Sequence, residues 1–331
     1  MLDAHQRIIN YIRVSVTDRC NLRCIYCQPA REFHQLARSE ILSYEEILHL
    51  VQIAISCGIT KVRLTGGDPL VRRDIVDLVR SIARLKGITD VSLTTNGILL
   101  DRLAGDLYRA GLRRINISLD SLKRDRFQMI TGQDGLDQVR KGIDKAHSLG
   151  FSPIKINTVV IRGVNDDEVL DLARLSLNKP YHIRFIEFMP IGNDQLWQEK
   201  KYVSCLEIQK ILTSFQPLIP SAAAGPHHSH HHGPAQMFEF EGALGKIGLI
   251  SPLSNHFCSN CNRIRLTADG RVRNCLFSDQ EIDIREALRS GKNDEELKAL
   301  LIQGIKNKPA GHNLDHAQFT ILNRPMSKIG G

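Results

Sequence analysis

Short apolar runs alternate with amphipathic segments through the first 190 residues of the chain. Each apolar run is rich in Val, Ile and Thr, as β-strands are, and a segment with the 3.6-residue period of a helix usually follows it. The runs typical of strands are residues 11–16, 61–64, 91–95, 114–119, 154–160 and 182–188. Helices are predicted near 43–58, 73–85, 99–110, 135–150 and 166–176. Six such repeats predict an α/β fold with a parallel sheet, either doubly wound or closed toward a barrel.

The alternation stops after Phe188. Residues 216–235 are rich in Pro, Ala and His, which is typical of a loop. Residues 237–250 have the pattern of a β-hairpin, and two short helices are predicted near 282–303. We therefore divide the chain into residues 1–190, which carry the strand–helix repeats, and residues 191–331, with the boundary near 190–215.

Composition narrows the class of protein. The 331 residues are 42% hydrophobic and 24% charged, as expected for a globular protein with a large core. The sequence contains neither an uncharged apolar run long enough to span a bilayer nor a signal pattern at its start, so we expect a cytoplasmic protein with no membrane partner. The formal net charge of +8 favours an anionic partner. Nucleic acid, a phosphorylated small molecule or a membrane surface would each fit, although the 5% aromatic content weakens a role in single-strand binding.

Three cysteines follow the first predicted strand within eight residues: Cys20, Cys24 and Cys27. Three thiolates on one loop can hold three corners of a cube-shaped iron–sulfur cluster. A structural zinc site would need a fourth ligand, and nearby Asp18 is a poor partner for three thiolates. The loop also lies at the end of a parallel sheet where ligands bind. A catalytic cluster with one open position is therefore favoured over three buried structural cysteines.

A second group comprises Cys258, Cys261 and Cys275. Its spacing fits a zinc knuckle, with His256 as the fourth ligand, as well as it fits a second iron–sulfur cluster. The spacing alone leaves both interpretations open.

Arginines lie between the cysteines of this second group. Arg263 and Arg265 are two residues apart, so in an extended segment they point to one face. Two guanidinium groups beside a metal site suit a bound polyphosphate. For Arg271 and Arg273, the alternative of a solvated strand face stays open.

The motifs together resemble a known family. TDRCNLRCIYC and TGGDPL resemble the cluster and glycine motifs of the radical S-adenosylmethionine (SAM) superfamily, with Asp68 where Glu is usual. TTNG, RRINISLD, RFIEFMP, FCSNCNRIRLTADG and a terminal Gly-Gly follow in order. This series is similar to the GTP 3′,8-cyclase family within that superfamily, over nearly the whole chain.

The resemblance implies a fold, cofactors and an activity. The fold would be an incomplete (βα)6 TIM-like barrel, with a C-terminal region that carries a second cluster. The cofactors would be SAM and two [4Fe–4S] clusters, one on each cysteine group. The activity would convert GTP to 3′,8-cyclo-7,8-dihydro-GTP, the first step of molybdenum cofactor biosynthesis.

The resemblance also implies site residues by matched position. For SAM these are Tyr26, Gly67, Ser118, Arg184 and Met189. For GTP they are Arg13, Arg63, Thr94, Lys155, Arg263 and Arg265. The tail residues Gly330 and Gly331 would reach toward the active site. Asp120 is assigned no chemistry, and the histidine-rich run 227–232 is interpreted as an incidental insertion.

The expected partners are GTP, a flavodoxin-like or chemical reductant and a downstream cyclic pyranopterin monophosphate synthase. A homodimer is kept as an option. No nucleic acid is expected.

Two alternative functions stay open. One is another radical SAM enzyme with an auxiliary cluster and a peptide or nucleotide substrate. The other is a zinc-stabilised nucleic-acid-binding protein, motivated by the net charge.

Overall fold

Six parallel strands form the centre of the molecule. The computed structural model describes residues 1–27, 35–191, 197–221, 233–312 and 324–330. The central strands, paired in chain order, are β1 (Tyr11–Ser15), β2 (Lys61–Thr65), β3 (Asp90–Thr95), β4 (Arg114–Ser118), β5 (Ile154–Val160) and β6 (Tyr181–Glu187). All six predicted strands are confirmed, and their boundaries differ from the prediction by one or two residues at most.

Strands from the second half of the chain extend the sheet at both edges. Beyond β1, β10 (Arg263–Leu266) pairs parallel, followed by antiparallel β11 (Arg271–Arg273) and β12 (Glu281–Asp283). Beyond β6, β9 (Lys246–Ile250) pairs parallel, followed by antiparallel β8 (Gln236–Phe240) and β7 (Leu218–Pro220). Among the described residues β12 and β7 do not pair with each other, so the sheet stays open. The predicted incomplete barrel is confirmed. Both parts of the chain supply strands to one sheet. The division of the chain near residue 190 therefore stays a prediction.

Most helices of the described residues pack against one face of this sheet, and the last helix supplies Met326 to a cavity on the other face. The helices are α1 (Tyr44–Ser56), α2 (Ile75–Ala83), α3 (Leu100–Arg109), α4 (Arg124–Thr131), α5 (Leu136–Ser148), α6 (Val169–Asn178), α7 (Cys205–Phe215), α8 (Ile284–Arg289), α9 (Asp294–Lys306) and α10 (Met326–Ile329). The predicted cap of α1 is present: the Glu46 amide donates to Ser43 Oγ at 3.2 Å, and Glu46 Oε2 accepts from the Ser43 amide at 2.7 Å. Within the described residues, no helix combines the length and apolarity needed to cross a bilayer.

The sequence analysis missed several elements. It gave no helix for α4 or α7, and it placed a loop over the short strand β7. The eight residues of α4 bury only Phe127, Ile130 and Thr131, which is too few for a clear helical period. The interpretation of Arg273 as part of a solvated face is also wrong, because Arg273 is 0% exposed and pairs with Glu281 at 2.5 Å.

The alternation of side chains along the strands decides which residues face the site. In β5, Ile154, Ile156 and Val160 are buried in the apolar core, whereas Lys155 and Asn157 point into a cavity on the other face of the sheet. Successive residues of a strand point to opposite faces, so an apolar–polar pattern sends the polar residues inward. The apolar residues pack against the outer helices.

A buried carboxylate joins the end of β6 to the C-terminal region. Glu187 is 0% exposed and accepts hydrogen bonds from the Tyr202 hydroxyl at 2.9 Å and the Cys205 amide at 3.0 Å. It also accepts from the amides of Leu253 and Ser254 at 2.9 and 3.1 Å. The carboxylate therefore fixes the start of α7 and the segment that leads into the second cysteine group.

Candidate active site

The loop that carries Cys20, Cys24 and Cys27 is fixed on two sides by backbone hydrogen bonds. On one side, the amides of Arg23 and Ile25 donate to carbonyls at the end of α4, at 2.7 and 2.9 Å. On the other, the amides of Gly67 and Asp68 donate to Thr17 and Arg19, at 2.7 and 2.8 Å. The helix that the sequence analysis missed is therefore one of the two supports of the first cysteine group.

The first three cysteines lie in surroundings that disfavour the thiolate form unless a cation is bound. Burial raises the pKa of Cys24 well above its ordinary value, and the nearby charges of Asp120 and the other two thiols raise it further. Burial likewise raises the pKa of Cys27 to about 12. Cationic iron would reverse this balance, because metal binding favours the thiolate.

The two cysteine groups differ in the other ligands near them. Among the described residues, His256, Cys258 and His312 have ligand atoms that all lie within 4.8 Å of one another, a spacing that a single metal ion could use. The first group offers three thiols on one loop, a donor set that suits an iron–sulfur cluster with one open position.

The Gly66-Gly67-Asp68 segment packs tightly against the cysteine loop. A Cβ atom on Gly67 would lie 2.2 Å from the Arg19 carbonyl oxygen, which only glycine avoids. Asp68 uses both carboxylate oxygens within the chain, since one accepts from the Leu70 amide at 2.9 Å and the other from Thr95 Oγ1 at 2.8 Å. Burial raises the pKa of Asp68 to about 6. The shorter side chain at this position therefore ties the end of β2 to the end of β3.

Asp120, which the sequence analysis assigned no chemistry, lies beside the first cysteine group. Its Oδ2 accepts a hydrogen bond from the Tyr26 hydroxyl at 2.6 Å, and its Oδ1 accepts from the Val159 amide at 2.9 Å. Burial raises the pKa of Asp120 to about 6. Asp120 and Tyr26 both line the cavity, so this pair forms its wall next to the cysteine loop.

A single cavity brings most of the predicted site residues together. Its wall includes all six residues expected for GTP and four of the five expected for SAM: Arg13, Arg63, Thr94, Lys155, Arg263, Arg265, Tyr26, Ser118, Arg184 and Met189. The second cysteine group, Cys258, Cys261 and Cys275, also lines it. Gly67 and the first three cysteines are not in the wall, although Tyr26 of the same loop is. The cavity thus reaches the second cysteine group and the loop that carries the first.

The wall of this cavity is strongly cationic. It contains nine Lys and Arg residues but only two Asp residues, and one of these, Asp90, pairs with Arg114 at 2.6 Å. Burial, together with the charges of Arg184, Arg114 and Arg63, lowers the pKa of Lys155 to about 6. Buried charges of one sign are costly unless a counter-charge is supplied. The cavity is therefore built for an anion.

Some buried polar atoms in the wall have no partner within the described residues. They include Arg184 Nε, Thr94 Oγ1 and Asn157 Oδ1. Buried polar groups are normally hydrogen-bonded, so these atoms indicate where a polar ligand would donate and accept. They offer both donors and acceptors, as a nucleotide requires.

The second cysteine group has a different electrostatic environment from the first. Burial raises the pKa of Cys261, but the charges of Arg263 and Lys308 outweigh burial, and the pKa falls to about 6. Nearby, His256 Nδ1 lies 2.8 Å from His312 Nε2. The predicted pair of arginines is extended in β10, and both line the cavity.

The tail of the chain reaches the ends of the central strands. Arg265 donates hydrogen bonds to the carbonyls of Gly330 and of Ile329, the latter at 3.3 Å. Gly330 has a φ of +73°, and a Cβ atom there would lie 2.9 Å from Thr65 Cγ2. Gly331 and the histidine-rich run 227–232 lie outside the described residues.

Comparisons with known proteins agree with this geometry. The pattern of the Radical SAM superfamily matches residues 14–176, and the pattern described as Molybdenum Cofactor Synthesis C matches residues 181–314. A GTP 3′,8-cyclase of Syntrophomonas wolfei is 47% identical over 331 residues, with all of both chains covered. The chain belongs to the GTP 3′,8-cyclase family. Another member, from Thermodesulfovibrio yellowstonii, is 47% identical over 333 residues, also with all of both chains covered.

Solved structures agree on the fold. The crystal structure of Streptococcus suis SuiB bound to S-adenosylmethionine has a TM-score of 0.57 at 14% identity, and the match covers 84% of this chain and 64% of that one. SuiB bound to its precursor peptide SuiA has a TM-score of 0.59 at 13% identity, with 92% and 66% covered. The chain spans about two thirds of SuiB. At these identities the likeness extends to the fold alone.

Sequence reasoning missed several residues of the cavity wall in this family member. These are Tyr11, Lys61, Asp90, Arg114, Asp120, Asn157 and Lys308. Lys61 and Asn157 lie two residues from predicted site residues on the same strands, so the strand period would have found them. Lys308 follows α9 and reaches the cavity only through the tertiary fold.

We predict that Gly67→Ala lowers the iron and sulfide content of the first cysteine group. The new Cβ atom cannot lie 2.2 Å from the Arg19 carbonyl oxygen, so the cysteine loop must shift. Gly105→Ala is the matched control: it lies in α3, where the nearest atom to a Cβ is an Arg109 nitrogen at 3.5 Å. The measurement is the iron and sulfide content of both variants after anaerobic reconstitution. Equal contents in the two variants would contradict the prediction.

Proposed function

We propose that the cavity binds GTP, with the triphosphate among the buried cations, and SAM at the end beside Tyr26. The chain is a GTP 3′,8-cyclase, a radical SAM enzyme that forms 3′,8-cyclo-7,8-dihydro-GTP in the first step of molybdenum cofactor biosynthesis. The observation that carries the proposed site is the charge of the wall, nine Lys and Arg residues against two Asp residues. A triphosphate supplies the missing counter-charge.

The enzyme uses SAM and an iron–sulfur cluster. In the proposal, Cys20, Cys24 and Cys27 hold a [4Fe–4S] cluster, which with SAM supplies a radical able to abstract hydrogen from the GTP ribose. The residues proposed to bind SAM are Tyr26, Gly67, Ser118, Arg184 and Met189. Asp120 fixes the direction of the Tyr26 hydroxyl, so the phenol ring closes the cavity beside the cysteine loop.

The cations of the wall bind and orient GTP. Arg13, Arg63 and Lys155 come from three strands of the barrel, while Arg263 and Arg265 come from β10 at its edge. Thr94 contributes a hydroxyl. Groups on rigid strands can hold the ribose in one position, which is the main contribution a protein makes to such a reaction. Burial also keeps water away from the reacting carbon atoms.

A second [4Fe–4S] cluster on Cys258, Cys261 and Cys275 completes the proposal. The low pKa of Cys261, held down by Arg263 and Lys308, favours a thiolate ligand there. All three cysteines line the cavity. This cluster would bind the guanine base, so that C3′ faces SAM.

The remaining expectations about partners stay predictions. They are the flavodoxin-like or chemical reductant, the downstream cyclic pyranopterin monophosphate synthase and the homodimer. Among the described residues we assign no surface to any of them.

The direct test is the formation of 5′-deoxyadenosine from SAM by the anaerobically reconstituted, reduced protein. We expect GTP to stimulate it and ATP not to. Arg263→Ala and Arg265→Ala should each raise the KM for GTP about tenfold or more, since a hydrogen bond to a charged group contributes about 1.5–3 kcal/mol. Arg84→Ala, an exposed arginine just after α2, is the control and should behave as the unaltered protein.

Three outcomes would contradict parts of this account. Cleavage of SAM that is indifferent to GTP would move the substrate assignment elsewhere. Normal KM values in both arginine variants would remove these residues from the GTP site. No cleavage in a sample with full iron and sulfide would count against the enzymatic activity itself.

We also predict that GTP binding takes up close to one proton at pH 8. Lys155 has a pKa of about 6 in the cavity without ligand, so it is neutral at pH 8. A bound triphosphate that raises this pKa to about 9 leaves Lys155 almost fully protonated at pH 8, which requires about 4.1 kcal/mol of attraction. Titration calorimetry in buffers of different ionisation enthalpy measures the uptake.

Lys155→Arg is the matched control for this proton uptake. The guanidinium keeps the positive charge but does not titrate near pH 8, so GTP should bind without the proton uptake. Uptake that is the same in both proteins would show that another group carries the proton.

A further inference from the structure

We propose that Arg7 is the positioning residue of the second cysteine group, holding the loop of Cys258 against the segment 308–310. Arg7 lies 251 residues before Cys258 in the chain and is 7% exposed. The inference rests on the proposed second cluster, because its purpose is to keep those ligands in place.

The guanidinium of Arg7 uses all five of its N–H groups. Nη1 donates to the Cys258 carbonyl at 2.8 Å and to the Ala310 carbonyl at 3.1 Å. Nη2 donates to the carbonyls of Pro309 at 2.7 Å and Lys308 at 3.4 Å. A planar group with five fixed donors can join several carbonyls in a way that the ammonium of lysine cannot.

A carboxylate fixes the orientation of this guanidinium. Arg7 Nε donates to Asp3 Oδ2 at 2.6 Å, and Asp3 Oδ1 accepts from the Arg7 amide at 2.9 Å. The two side chains are 6% and 0% exposed. A buried ion pair is favourable only when its remaining polar atoms are satisfied, which the four carbonyls achieve here. Asp3 thus sets the angle at which Arg7 meets the Cys258 loop.

The segment held by Arg7 also contacts the loop of Cys275. Lys308 Nζ donates to the Asn274 carbonyl at 2.6 Å, and Asn274 Nδ2 donates to the Asn307 carbonyl at 2.8 Å. Lys308, Cys258 and Cys275 all line the cavity. Arg7 therefore joins, through one segment, the two loops that carry cysteines on either side of β10 and β11.

Arg7 and Asp3 are not in the cavity wall. None of the atoms that Arg7 contacts is among the residues expected to bind GTP or SAM. Its role would thus be to set the distances between the cysteines, because a cluster binds tightly only if its ligands are held near their final positions.

The test is the iron and sulfide content of Arg7→Ala after anaerobic reconstitution. We expect the unaltered protein to hold about eight iron atoms, two [4Fe–4S] clusters, and Arg7→Ala to hold about four. The first group should keep its cluster, so SAM cleavage without GTP should be unchanged while stimulation by GTP is lost. Arg84→Ala is the control and should keep both clusters.

If Arg7→Ala does not fold, Arg7→Lys tests the same proposal. It keeps the charge but makes fewer of the five hydrogen bonds, so its second cluster should lose iron to a chelator about tenfold faster. The melting temperature should stay near that of the unaltered protein, which separates positioning from a general loss of stability.

The outcomes separate this inference from the proposed function. An unaltered protein with a single cluster would overturn the proposed second cluster and the role of Arg7 with it. Two clusters in both the unaltered protein and Arg7→Ala, or unchanged iron loss in Arg7→Lys, would overturn only the role of Arg7.

Discussion

The gathering of like charges around one cavity inside an open sheet shapes the rest of the structure. Strand alternation turns Arg13, Arg63 and Lys155 inward, and β10 adds Arg263 and Arg265. Burial and the neighbouring arginines lower the pKa of Lys155 to about 6, because a further positive charge is unfavourable there. A cavity with this charge needs a bound anion as counter-charge, and the triphosphate of GTP supplies it.

The carboxylates near this cavity accept hydrogen bonds from the protein itself, and none of them is proposed to contact the ligand's phosphates. Asp68 ties β2 to β3, Asp120 holds Tyr26, and Glu187 fixes the segment before the second cysteine group. Each lies just beyond or at the carboxyl end of a parallel strand, where an unpaired carboxylate would weaken the attraction for phosphate. Hydrogen bonds from the chain satisfy their oxygens, so the cations stay available. The fold thus separates the residues that shape the site from those that hold its ligands.

The sequence predicted the repeats of the fold well, because strand and helix periods are local properties. It also predicted the members of the cavity wall that motifs mark, such as Arg263 and Ser118. It missed Lys308 and Arg7, whose positions depend on contacts over hundreds of residues and which no local pattern marks. It missed α4 because eight residues with three buried side chains give no clear period. The support of the cysteine loop therefore could not be predicted, although the loop itself was.

The affinity of the reconstituted protein for GTP, GDP, GMP and guanosine tests whether the cations of the wall hold the triphosphate. Calorimetry at one salt concentration compares the four compounds, which differ only in the number of phosphate groups. We predict that affinity falls at each step, by about tenfold or more, as charge-assisted hydrogen bonds are lost. Guanosine that binds as tightly as GTP would contradict this prediction, because the cations of the wall would then have no part in holding the substrate.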